Sequence, residues 1–177
     1  MYLNIFKNLY LGGFMFSLFY IALAVLIIAV NMYFSKKEKN TFFVLETTLK
    51  WLILILIGIG GVIVFMMHTF NSDAIAKQIG WATGSPFQLE VGAANLAIAV
   101  LGIISYWQRK MFWLATVIAY AVFLYGAAGV HINEMMNNNN YAQYNSGFFL
   151  WFSDIIVPTI LLILVFFYLK AAKSDSR

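Results

Sequence analysis

Six side chains in this sequence have the chemistry to bind or move something: His68, Gln88, Glu90, Asn95, His131 and Asp154. Two imidazoles and two carboxylates suit a divalent metal held by nitrogen and oxygen. The spacing argues against it, since neither H-x-x-x-H nor E-x-x-H occurs and the metal content stays open. Two histidines on separate helices also suit axial haem ligation. Both lie near helix ends, which weighs against that use, and no particular cofactor is implied. Pairing of Glu90 with His131, or of Asp154 with His68, would relay protons, because histidine changes charge near neutral pH. A plainer reading makes His68 and His131 helix-terminal residues solvated at an interface. Glu90, in the first turn of a helix, is plainly explained by the positive end of the helix dipole. Asp154 resists the plain reading, because a charge deep in an apolar helix costs a few kcal/mol unless paired or wetted.

The elements that position these groups are apolar. The chain has 177 residues, 63% hydrophobic and 10% charged, against about 25% charged in a soluble domain. It reads as an all-α integral membrane protein, a single transmembrane helical bundle. A bilayer core of about 30 Å asks for about 20 apolar residues per helix. Five stretches qualify, at about 9–33, 49–67, 87–107, 111–130 and 148–169. The first is too long for a signal-peptide core and reads as retained. The absence of cysteine excludes disulfides, thiolate metal sites and iron–sulfur clusters.

Charge sets the expected orientation. With five spans, Lys36, Lys37, Lys39, Lys50, Arg109, Lys110, Lys170, Lys173 and Arg177 fall on one side, and only Lys7 and Lys77 on the other. The positive-inside rule then puts the N-terminus outside and the C-terminus in the cytoplasm. The net charge of +4 therefore reflects loop bias, not nucleic-acid binding. Glu46 and Lys50, four apart, read as an ion pair along one helix. Trp51, Trp107, Trp113 and Trp151 read as interfacial anchors near span ends. Gly58, Gly60, Gly61, Gly102, Gly126 and Gly129, with Ala94 and Ala97, read as points of close helix approach.

In such a bundle the six polar residues come to one level beneath the two outer loops. Pro158, four residues after Asp154, frees the Asp154 carbonyl and kinks the last span there. Ser153 adds a hydroxyl. His68 to Glu90 is 22 residues and His131 to Asp154 is 23, an echo that would suit two parallel repeats. The first outer loop, with Trp81, Pro86 and Phe87, reads as an ordered interfacial segment. Asn137 to Asn140 reads as a polar, low-complexity loop.

The run Gly80-Trp81-x-x-Gly84-Ser85-Pro86-Phe87-Gln88-x-Glu90-Val91-Gly92-x-Ala94-Asn95 resembles a family of small multi-pass bacterial membrane proteins known only as a domain of unknown function. Asn140, Ala142, Asn145, Gly147, Asp154 and Pro158 extend the resemblance, with Gln143 where the family pattern has proline. The resemblance implies a polytopic protein of the bacterial inner (cytoplasmic) membrane and brings no activity with it.

Three functions are then expected, in order. The first is a binding or translocation module for a small molecule or ion, with a site near the outer leaflet built from Gln88, Glu90, Asn95, His131, Asp154 and His68. The second is a structural or accessory subunit docked in a larger membrane complex. The third is a quinone- or haem-linked membrane oxidoreductase. The balance leans away from an enzyme. The partners expected are the lipid bilayer and either a homo-oligomer or a larger membrane complex, with no nucleic acid.

Overall fold

The computed structural model describes residues 19–175, and every regular element among them is helical. Four helices are long and apolar enough to cross a membrane: α2 (Thr41–Phe70), α4 (Phe87–Ile104), α5 (Met111–Asn138) and α7 (Phe149–Ser174). They follow α1 (Phe19–Phe34), a shorter apolar helix. Residues 9–18 of the expected first span, Lys7 and Arg177 lie outside the described residues. Two short helices, α3 (Ser72–Ile79) and α6 (Gln143–Ser146), sit in the connections at one end of the bundle. That end is called the loop end. The opposite end, with the turn 105–110, is called the turn end.

The core follows from helical spacing. Leu49, Ile53 and Ile57 of α2 meet Trp113 and Val117 of α5 and Leu161, Val165 and Tyr168 of α7. Each set recurs at three or four residues, which puts it on one helix face. Trp113 is fully buried and its indole N–H donates to Ser105 O at 2.7 Å. It is a core residue, not the expected interfacial anchor. Trp107 and Trp151 are exposed, as anchors should be.

α4 packs along α2 through small residues. Gly102 lies so close to Gly58 that a β-carbon on it would stand 2.5 Å from the Gly58 nitrogen. A β-carbon on Gly61 would stand 2.8 Å from that of Ala99. The contact falls partly on a π-helical stretch of α2, Ile53–Ile59. Gly126 and Gly129 behave differently from expectation. They are exposed on α5, and open space surrounds them.

At the turn end, Arg109 reaches Glu46 at 2.7 Å. The expected Glu46–Lys50 pair does not form. The Lys50 ammonium instead lies 4.0 Å from the centre of the Tyr106 ring. Arg109, on the short α4–α5 turn, offers Glu46 a planar fork of donors from another helix, and this wins over the weak intrahelical pairing.

Candidate functional site at the loop end

The first loop is built as an ordered unit. α3 closes with Gly80 in the left-handed region (φ 81°), while Trp81 N–H donates to Ala76 O at 2.8 Å and Gly80 N–H to Lys77 O at 3.2 Å. This is the Schellman arrangement that glycine permits. Asp73 Oδ1 then accepts from Gly84 N–H at 2.9 Å. Trp81 is thus held over the bundle, 5.7 Å from the Phe87 ring and 6.2 Å from the His131 ring.

The second loop locks onto the first. α5 runs on through Asn138, so half of the expected asparagine loop is helix. Glu134 explains the extension. Its carboxylate accepts from Asn138 Nδ2 at 2.6 Å and from Asn140 Nδ2 at 3.1 Å, and its backbone carbonyl accepts from Asn140 N–H. Asn139 takes the left-handed conformation that ends the helix. The Asn140 amide also donates to Ile79 O at 3.0 Å and Gly80 O at 3.3 Å. A side chain at position 80 would collide with the Asn140 amide. The asparagine run is therefore a latch between the two loops. Tyr144 of α6 meets Phe149 edge-on at 4.4 Å, and burial pushes its phenol above the ordinary value.

Beneath this cap lie two histidine–amide pairs. His68 Nδ1 is 2.7 Å from Gln88 Oε1, and His131 Nδ1 is 2.6 Å from Asn145 Oδ1. Asn145 is fully buried, and its Nδ2 donates to Asn140 O at 3.2 Å. That bond fixes the amide, so its oxygen accepts from His131 Nδ1–H. The other ring nitrogen, Nε2, then faces Asp154 Oδ2 at 3.9 Å, with both side chains largely buried. Asp154 lies in a π-helical stretch of α7, Phe149–Ile156, where Val157 N–H reaches back to Phe152 O. Pro158 follows at once and has no N–H to give, so the disturbed helix sits where its position implies.

The structure brings four of the six expected residues into two contacts: His68 Nδ1 with Gln88 at 2.7 Å, and His131 Nε2 facing Asp154 at 3.9 Å. It leaves two aside. Glu90 is exposed on α4, and its side chain makes no hydrogen bond or ion pair among the described residues. Asn95 donates to Val91 O of its own helix at 2.9 Å. Asn140, Asn145 and Glu134 complete the cap and were not expected at the site. Asn145 stands two residues before Gly147 in a polar loop, and its place in the family resemblance, with Asn140, is the sequence signal that could have found it. No group of three or more metal-ligating side chains occurs among the described residues.

Gln88 of the first pair lines a cleft of about 350 Å³ together with Trp81, Ala82, Ser85, Phe87 and Val130. This lies at the small end of the range for ligand sites, about 300–1,000 Å³. A family model described as "Family of unknown function (DUF6790)" matches residues 14–174. No curated protein and no solved structure matches the chain.

Proposed function

We propose that this chain, which belongs to the DUF6790 family of unknown function, is a polytopic protein of a bacterial inner membrane that binds or translocates a small molecule at its loop end. In this reading α1 is part of a fifth span, the N-terminus lies outside and the C-terminus in the cytoplasm. The positive-inside bias of the lysines and arginines supports that orientation, and it puts the loop end on the outer side.

The observation that carries the reading is Gln88. It is 2% exposed, yet it lines a cleft at the end of an otherwise apolar bundle. Pockets that bind small molecules combine apolar walls with a few placed polar groups, and Trp81, Phe87 and Val130 supply the walls. Binding should raise the apparent melting temperature of the purified protein in nanodiscs, because a ligand that prefers the folded state stabilises it. A screen of small molecules should give such hits with the native chain and lose them in Trp81→Ala. Hits that persist in Trp81→Ala would contradict the cleft as their site.

A second reading, an accessory subunit docked in a larger complex, draws on Gly126 and Gly129. They are exposed on α5 with open space around them among the described residues, and small residues on membrane helices permit close approach. Copurification of a second membrane protein at fixed stoichiometry, lost in Gly126→Leu, would favour it.

A further inference from the structure

Gln88 is only half used by the protein. Its carbonyl oxygen is taken by His68 Nδ1–H at 2.7 Å, while its Nε2 has no partner among the described residues. The group therefore presents amide N–H donors to the cleft that it lines. That donor, without a partner among the described residues, is a polar demand of the cleft wall beside the Ser85 hydroxyl. The other main demand is aromatic. Trp81 and Phe87 meet at 5.7 Å with ring planes 57° apart, and form a corner against which a flat ring can pack. His131 stacks against Trp81 at 6.2 Å and 28°, so the indole is braced by a second aromatic ring.

Charge narrows the class further. No lysine or arginine lines the cleft. Glu134, which gathers Asn138 and Asn140, belongs to the same loop-end cap as Trp81. An anionic ligand would find no cation among the lining residues to pair with. We infer that the cleft takes a flat, uncharged ring carrying a carbonyl-type acceptor, with the acceptor on Gln88 Nε2 and the ring against Trp81 and Phe87. This rests on the binding reading above and names its substrate class.

The test titrates the full chain in nanodiscs with 1,4-naphthoquinone and follows tryptophan emission, with naphthalene and 2-naphthoate as competitors. The expected result is saturable quenching that disappears in Trp81→Phe. Naphthalene, lacking the acceptor, should compete about five- to tenfold more weakly, the worth of one hydrogen bond. The 2-naphthoate anion should compete no better than naphthalene. In Gln88→Met, which keeps the length and removes the donors, the quinone should fall to the level of naphthalene. Equal competition by naphthalene in the native protein overturns the acceptor class whether or not the variant folds. So does stronger competition by 2-naphthoate, or unchanged quinone affinity in a folded Gln88→Met. Those outcomes leave a cleft that binds rings. Absence of any saturable quenching overturns this inference, and the binding reading on which it stands then falls only if the small-molecule screen also gives no hit that depends on Trp81.

Discussion

At the scale of single residues, the loop end is organised by which atom each amide has already spent. Asn145 donates to Asn140 O, so its oxygen must take the proton of His131 Nδ1, and Nε2 is left to face Asp154. Removing the amide in Asn145→Ala strands a buried N–H. The expected cost is about 1–3 kcal/mol, seen as a drop of several degrees in the apparent melting temperature, since each kcal/mol moves a chain of this size by about 2–4 °C. A shift under one degree would mean that the His131–Asn145 bond contributes nothing. Asp154→Asn works the other way. The shape is kept, a buried charge is removed, and the new amide can donate to Nε2, so stability should hold or rise. A loss above about 1 kcal/mol would show that the Asp154 charge itself holds the fold together. Glu90→Gln is the control. It changes an exposed, unpartnered side chain, and such changes fall within about 0.5 kcal/mol.

At the scale of elements, the glycines divide into two kinds. Gly102 is pressed against the backbone of Gly58, where only a hydrogen fits. Gly102→Ala forces α2 and α4 apart and should cost about 1–3 kcal/mol by overpacking. Gly126→Ala meets open space and should be neutral or stabilising by up to about 1 kcal/mol, through helix propensity alone. Thermal unfolding of both variants, compared side by side, checks the packing of α4 on α2. Comparable losses in both would contradict it.

The same division marks how far the sequence could be read. Long apolar runs are dictated by solvent, so α2, α4, α5 and α7 were legible as helices, although α2 begins at Thr41, α5 runs on to Asn138 and α7 to Ser174, beyond the apolar runs themselves. The expected disturbance before Pro158 meets a π-helical stretch, Phe149–Ile156, but a second such stretch, Ile53–Ile59, has no proline and was not legible. Composition alone could not show which glycine faces a helix, because Gly58 and Gly126 look alike until a neighbour is placed. Nor could it show that Glu134 gathers the asparagines, which turned an expected loop into helix and latch. Arg109 took Glu46 from Lys50 by reaching across 63 positions of sequence, a contact that no local rule describes. The histidine echo survives only in part. Both histidines give Nδ1–H to an amide oxygen, but one π-helical stretch lies in the first helix of its hairpin and the other in the second.

At the scale of the whole molecule, the proposal requires the Gln88 cleft to open toward the outside of the cell. The chain has no cysteine, so single thiols can report on each end without background. Ser85 lines the cleft and is exposed. Gln108 is exposed on the turn at the opposite end. Ser85→Cys and Gln108→Cys would each be treated with a membrane-impermeant maleimide in intact spheroplasts, and again after permeabilisation. The expected result is labelling of Ser85→Cys in intact cells, with Gln108→Cys labelled only once the membrane is opened. Labelling of Gln108→Cys alone in intact cells would put the cleft on the cytoplasmic side and contradict the proposed orientation of the site.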